Sequence, residues 1–339
     1  MITYKSAGVD IGEADRLVDF LKERIPGIGF FSGLFPLDLK GYQEPVLVAS
    51  TDGVGTKLIV ANLMKNHKTI GIDLVAMIVN DICVCGAKPL FFLDYFATGK
   101  LDQRQAREIL SGIIKGCEIA ASPLLGGETA ELPGLYRKGD YDLAGFGVGI
   151  VDRKKIIDGS AIVPGDVFIG VASSGLHSNG YSLARKALLE KAGLSLNRKP
   201  AGLKEKLGAV LLKPTFIYSN LTSALLKKIP IKGIAHITGG GIPGNLNRIL
   251  PKNIDAAIDF DLLLPFPMIF EIIRTLGPVS WEEMFKTFNM GVGLVLACSP
   301  AHEKKAHQSI RSLGFESGTI GKAVKGNAAV QLNHPEKGD

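Results

Sequence analysis

Along this 339-residue chain, short β-branched runs repeatedly end in glycine-rich turns and give way to segments with helical spacing. Pro45-Val-Leu-Val-Ala49 leads into Ser50-Thr-Asp-Gly-Val-Gly-Thr-Lys57. Gly71 to Gly86 then carries apolar residues at Ile72, Val75, Val79 and Ile82. A short apolar run bounded by turn residues reads as a buried strand, and intervals of three and four read as one helix face. Leu90 to Ala97 predicts a further strand, Asp102 to Ala120 a helix, and Asp142 to Val151 a glycine-rich strand. The pattern restarts with a strand at Val167–Ala172 and a helix from Tyr181 to Ala192. It recurs at Gly233-Ile-Ala-His-Ile-Thr-Gly-Gly-Gly241, with a helix from Asn245 to Leu250. Such alternation in both halves confines the chain to an α/β or α+β architecture, each half a sheet with helices packed on it.

The length accommodates two domains. Residues 1–45 read as an arm, a helix over Glu13–Arg24 and a glycine-rich loop from Gly27 to Phe35. Residues 46–160 form one α/β domain and 161–339 a second, with the break in the turn residues between Ile157 and Asp166. With 46% hydrophobic and 21% charged residues, the composition is that of a soluble globular protein. The net charge of +6 is scattered, without aromatic interleaving, so an anionic small molecule accounts for it better than nucleic acid. Cys83, Cys85, Cys117 and Cys298 lack zinc spacing and read as reduced thiols. No signal-peptide core and no membrane-length apolar run appears, so a cytoplasmic protein is expected.

Asp52-Gly-Val-Gly-Thr-Lys57 sets a carboxylate, two permissive glycines, a hydroxyl and an ammonium on one short turn. Backbone N–H groups at Gly53, Val54 and Gly55, with Thr56 and Lys57, suit phosphate oxygens, and Asp52 suits a divalent cation. An ordinary β-turn with a surface lysine accounts for the same residues. Asp73 stands at a predicted helix start, where the dipole alone favours a carboxylate, whereas Asp81 stands mid-helix in apolar surroundings. Gly126-Gly-Glu-Thr-Ala-Glu131 follows the apolar pair Leu124-Leu125 and sets two carboxylates beside a glycine turn, which suits a cation; an N-cap role for Thr129 is the alternative. Ser173-Ser-Gly-Leu-His-Ser-Asn-Gly180 lies between a strand and a helix, the usual setting for an anion. Capping by Ser178 or Asn179, and an ordinary loop role for His177, fit equally. His302 and His307 read as solvated.

The same motifs carry a family resemblance. They are Lys5-Ser-Ala-Gly-Val-Asp-Ile11, Asp52 to Lys57, Gly71-Ile-Asp-Leu-Val-Ala-Met77, Val79-Asn-Asp81 and Gly86-Ala-Lys-Pro89. Gly126 to Glu131, Gly175-Leu-His-Ser-Asn-Gly-Tyr181, His236 to Gly241 and Phe288-Asn-Met-Gly-Val-Gly293 complete the set. From Tyr4 to Gly321, in order, the chain resembles the phosphoribosylformylglycinamidine cyclo-ligases, or aminoimidazole ribonucleotide synthetases. At Gly27 to Phe35 it departs from the family's usual pattern, with Phe31 and Ser32 replacing small residues in that loop.

The resemblance implies an ATP-dependent ligase of purine biosynthesis that closes formylglycinamidine ribonucleotide to 5-aminoimidazole ribonucleotide through an iminophosphate. It implies Mg²⁺ on Asp52, Asp81 and Glu128, helped by Asp73 and Asn80, and ATP held by Gly53, Val54, Gly55, Thr56, Lys57 and Thr129. It implies substrate contacts from Lys5, Ser174, Gly175, His177, Ser178, Asn179, Gly239, Gly240, Gly241, Asn289 and Gly291. Lys57, Asp81, His177 and His236 become the catalytic candidates, and Lys22 joins Lys5 as a cation near the phosphates. It also implies a homodimer whose N-terminal domains share a β-barrel. The alternatives are a thiamine-monophosphate kinase-like phosphotransferase and a catalytically silent nucleotide-binding protein. Selenophosphate synthetase would need a reactive cysteine in the Gly27–Phe35 loop, and the hydrogenase-maturation relative a C-terminal one.

Overall fold

The computed structural model describes residues 3, 6, 8–25, 28, 32–262 and 266–333. Lys5, Gly27, Phe31 and the tail from His334 lie outside the described residues. The chain divides into two compact units. One comprises Met1–Ile82 with Ala87–Lys154, the other Cys83–Gly86 with Lys155–Asp339.

The first unit runs α1 (Ile11–Lys22), β1 (Pro45–Gly53), α2 (Lys57–Met64), α3 (Ile70–Val84), β2 (Lys88–Thr98), α4 (Gln103–Ala120), β3 (Leu124–Glu131) and β4 (Tyr141–Asp152). Its four-stranded sheet has the order β1-β4-β2-β3, with β2 and β3 parallel and the other pairs antiparallel. α3 lies against the glycine-bearing face of β4. A Cβ on Gly145 would come within 2.5 Å of the Phe92 ring, and one on Gly147 within 2.8 Å of Ile78. The glycines predicted to mark crowding therefore admit a helix. α4 begins where Asp102 accepts the Gln105 N–H at 2.8 Å.

One expectation is corrected here. Gly126 to Glu131 is not a turn beyond a short strand but the body of β3, paired from Leu93/Gly126 to Thr98/Glu131. Parallel pairing with β2 supplies backbone partners that local glycine signals do not reveal. Thr129 consequently caps no helix.

The second unit comprises β5 (Val167–Ala172), α5 (Tyr181–Arg185), α6 (Leu207–Leu211), α7 (Ser219–Leu226), β6 (Gly233–His236), α8 (Gly241–Leu246), β7 (Ile254–Asp259), α9 (Met268–Leu276), α10 (Trp281–Thr287), β8 (Val292–Cys298), α11 (Pro300–Ser312), β9 (Ser317–Lys325) and β10 (Val330–Asn333). Six strands form one sheet in the order β10-β7-β9-β5-β8-β6. Every residue of β8 is buried, as its unbroken apolar run requires of a strand covered on both faces. One core gathers Phe168, Ile237, Ile242 and Leu246, and another gathers Tyr218, Leu221, Leu225 and Ile310.

Three further departures have physical causes. The helix from Tyr181 is α-helical only to Arg185 and continues as a wider π turn over Lys186–Lys191. The polar stretch beyond Gly321 contains β10, because the carboxylate of Asp255 organises it. That carboxylate accepts the N–H groups of Asn327 and Ala329 at 2.7 and 2.8 Å and the Gln331 amide at 2.8 Å. His307 is not solvated: its Nδ1 and Nε2 lie 2.8 and 3.0 Å from the Ser317 and Thr319 hydroxyls, and burial lowers its pKa.

The backbone bonds from Ala329 and Asn327 hold the Asp255 carboxyl below the usual range. A depressed acid contributes stability above its unfolded pKa of about 3.9 and loses it as pH falls through the folded value. Asp255→Asn will lower the Tm at neutral pH, and its gap from the parent will close below about pH 4, read by thermal scans across pH.

Candidate active site

In the first unit, β1 delivers Asp52 to its exposed end, where Oδ1 accepts the Gly53 N–H at 2.7 Å. Gly55 then takes φ +71°, a left-handed turn that favours glycine, and Thr56 precedes α2. Lys57 departs from the surface-lysine alternative. It is neither a surface lysine nor presented to solvent: Lys57 and Asp73 are each 0% exposed, and Nζ lies 2.9 Å from each Asp73 carboxylate oxygen. The pair bolts the β1–α2 turn onto α3. Burial pulls the ammonium downward, opposed by the charge and hydrogen bond of Asp73. Burial raises the Tyr141 phenol, and the charge of Asp73 adds to the rise. Asn80 is also fully buried, and Asp81 is half-buried.

The sheet register aligns Asp52, Gly145, Asp94 and Gly127 in one row across β1, β4, β2 and β3. At about 4.8 Å per strand, Asp52 and Gly127 stand about 14 Å apart along that row. Because side chains alternate between faces, Glu128 leaves the sheet opposite Asp52. Among the described residues no group of three acidic, histidine or cysteine side chains is gathered to hold a metal ion. Asp52, Asp81 and Glu128 are therefore not gathered as one ready-made cage of side chains. Their hard oxygen donors still suit an ion whose remaining ligands are phosphate oxygens.

A cavity of about 970 Å³ lies in this unit. Leu17, Val18 and Leu21 of α1 form one wall, Phe91 and Phe146 another, and Gly126 to Thr129 line it as well. Glu128 and Thr129 are thus at the cavity, whereas Asp52 to Lys57 are not among its lining residues. Asp94, which sequence reasoning passed over as one strand residue, also lines it and is only 8% exposed. Burial pushes its carboxyl up to about 7, and the charge of Glu128 adds to the rise. The available signal was a lone acid inside the aromatic run Leu90-Phe-Phe-Leu-Asp-Tyr-Phe96. Lys22, at the end of α1, is exposed, its Nζ 4.0 Å from the Asp19 carboxylate.

In the second unit three predicted loops converge. The amide Nδ2 of Asn289 donates to the Gly175 carbonyl at 2.9 Å, its Oδ1 accepts the Gly291 N–H at 2.9 Å, and Ser173 Oγ lies 3.2 Å from the same oxygen. The Ser173 N–H donates to the Gly291 carbonyl at 2.8 Å. His177 and Met290 both adopt left-handed backbone, at φ 60° and 52°, in these facing loops. Strain of this kind persists where surrounding structure enforces it, and it concentrates at functional sites. The His177 ring is 1% exposed, and its Nε2 accepts the Ser174 N–H at 3.2 Å. Gly293 makes room for it: a Cβ there would fall 2.8 Å from the His177 ring and 2.0 Å from the Tyr218 hydroxyl.

Ser174 donates to the Pro214 carbonyl at 2.6 Å, and the Ser178 hydroxyl lies 3.2 Å from that of Thr215. Asn245, taken from sequence only as a helix start, donates to the Gly239 and Gly241 carbonyls at 3.2 and 2.8 Å and so shapes the triple-glycine loop. A Cβ on Gly239 would sit 3.5 Å from Asn179 Oδ1, so these two loops adjoin. His236 is 5% exposed in β6, opposite Leu294.

Residues 38–151 match the family model described as AIR synthase related protein, N-terminal domain, and residues 163–333 match its C-terminal domain. These matches define the class: an AIR synthase related protein with both domains. A protein named phosphoribosylformylglycinamidine cyclo-ligase from Thermodesulfovibrio yellowstonii is 55% identical over 334 residues, covering 96% of this chain and 97% of its own. A namesake from Anaeromyxobacter sp. is 53% identical over 335 residues, with 96% of each covered. The chain belongs to the phosphoribosylformylglycinamidine cyclo-ligase family, and it is an enzyme of the ligase class. Among solved structures, Escherichia coli HypE, a hydrogenase maturation protein, aligns with TM-score 0.70 at 17% identity over 96% of this chain and 94% of its own. Thiamine-monophosphate kinase from Stenotrophomonas maltophilia aligns with TM-score 0.66 at 19% identity over 94% and 95%. These distant likenesses concern the fold.

Removing one partner of a buried ion pair strands the other charge, at a cost of about 3–5 kcal/mol. Lys57→Met will destabilise the protein by about that amount in urea unfolding, and Lys57→Met/Asp73→Leu will recover much of the loss.

Proposed function

We propose that this enzyme closes the imidazole ring of 5-aminoimidazole ribonucleotide from formylglycinamidine ribonucleotide in de novo purine synthesis, using ATP. The observation that carries the reading is the end-to-end identity of 53–55% with proteins bearing the cyclo-ligase name. The γ-phosphoryl group of ATP passes to the formamide oxygen, giving ADP and an iminophosphate. The ribosylated amidine nitrogen attacks the former formyl carbon, the C–O bond breaks, and phosphate leaves with the oxygen.

Phosphoryl transfer needs positioning and charge stabilisation more than a covalent catalyst. In our reading the first-unit cavity takes the nucleotide. The T. maritima PurL structure, which aligns at TM-score 0.55, was solved with AMPPCP, an ATP analogue. The backbone of Gly53 to Gly55 and Thr56 offers donors to phosphate. Lys57 acts from beneath, fixing the turn through Asp73. Asp52, Asp81 and Glu128 are the residues that would hold Mg²⁺ beside phosphate oxygens, Asn80 supporting them; the ion would supply charge neutralisation. The second-unit loops, Ser174 to Asn179, Gly239 to Gly241 and Asn289 to Gly291, are assigned to the substrate's phosphate. His177 shapes its loop through the Ser174 N–H. His236 is the candidate for handling protons.

Purified protein given ATP, Mg²⁺ and formylglycinamidine ribonucleotide will form the aminoimidazole product and one phosphate per turnover. Asp81→Asn will lower kcat by about 10²- to 10³-fold with an unchanged unfolding curve. Phosphate release without aminoimidazole product would favour the phosphotransferase alternative, and nucleotide binding without any turnover the silent one.

A homodimer also belongs to this reading. Leu47 and Tyr95 share one sheet face by register and are 60% and 41% exposed. An apolar face of this kind marks an interaction site, and a second copy supplies the matching half of a barrel. Light scattering of the parent will give twice the chain mass, and Leu47→Glu/Tyr95→Glu will give one chain mass; a monomeric parent rules the dimer out.

A further inference from the structure

The second acid of the Gly126–Glu131 motif does something other than its neighbour. Glu131 directs its whole carboxylate at backbone. Oε2 accepts the Asp10 N–H at 2.8 Å, and Oε1 accepts the Leu101 N–H at 2.9 Å. Asp10 in turn caps α1, its Oδ1 accepting the Gly12 N–H at 3.1 Å. Gln103, the first residue of α4, adds a second tie by donating to the Glu13 carbonyl at 2.7 Å. The leading end of α1 is therefore fastened to the end of β3 and the start of α4. From that anchorage α1 presents Ala14, Leu17, Val18 and Leu21 to the cavity, at intervals of three and four. Val18 remains 41% exposed, so this wall faces open space. Gly126 to Thr129, earlier in β3, line the same cavity, while Glu131 is not among its lining residues.

We propose that Glu131 is a positioning residue: it fixes α1 as a wall of the nucleotide cavity and so sets nucleotide affinity without touching the ligand. The inference rests on the cavity's occupant being the nucleotide of the proposed reaction. A carboxylate satisfies two N–H groups at once because both its oxygens accept. An amide of the same shape offers one acceptor and one donor, so it turns one of the two ties into a donor facing a donor.

The test compares the parent with Glu131→Gln. Hydrogen exchange of the α1 amides, measured without nucleotide, will be about tenfold faster in the variant, because local opening governs exchange. KM for ATP will rise about tenfold while kcat stays within about twofold, the signature of lost binding rather than lost chemistry. Unchanged α1 exchange would overturn the proposal, as would a fall in kcat with KM unaltered, which would assign Glu131 to the chemistry. If Glu131→Gln fails to fold, Gln103→Leu removes only the second tie, and the same readouts should move about threefold. A parent protein that bound no ATP would sink the nucleotide reading; the exchange arm, run in its absence, would still decide whether Glu131 holds α1.

Discussion

The buried contact between Lys57 and Asp73 is the constraint on which the first unit's site depends. Two opposite charges at 2.9 Å, both without exposure, couple the turn after β1 to the first turn of α3. Neither charge is stable there alone, so the turn has one arrangement in which both are satisfied. Asp52, Gly53, Gly55 and Thr56 inherit their placement from it. A residue that looks like a ligand-binding cation by its motif is, in the fold, the support on which the exposed groups stand.

The same division of labour recurs in the second unit. Asn289, Ser173, Ser174, Ser178 and Asn245 belong to the motifs that pointed to an anion site or lie beside them. Their polar atoms are engaged mainly with backbone and with each other. A buried polar group needs a partner, and loops without regular structure find theirs in side chains. The strained backbone at His177 and Met290 persists because this network over-determines it.

Element types were largely legible in the sequence, because periodicity reports which face is buried. The helices at α3 and α4 and the strands at β2, β5 and β8 follow directly from apolar spacing. What escaped was decided at long range. β3 runs through glycines and acids because β2 pairs with it, and β10 forms because Asp255, about 75 residues earlier, holds it. His307 has the spacing of a surface residue but two hydroxyls of β9 as partners. The motifs identified the family, yet the role of a single side chain within a motif was not legible. Lys57 and Asp73 are sixteen positions apart, and nothing local marks them as a pair. Asp94 left only a faint local signal, an acid inside an aromatic run; its chemistry comes from burial, to which the charge of Glu128 adds.

The bracket made by Asn289 has a kinetic corollary. It joins Gly175 to a loop 114 residues later, so no partial chain that stops before Asn289 contains both ends of the bond. Closing so large a loop carries an entropic cost that only the assembled sheet repays. During synthesis the bracketed loops of the second unit therefore take shape late, and a ribosome-stalled fragment ending at residue 280 would hold β5, β6 and β7 but none of the strands that pair them, and only one end of the bracket.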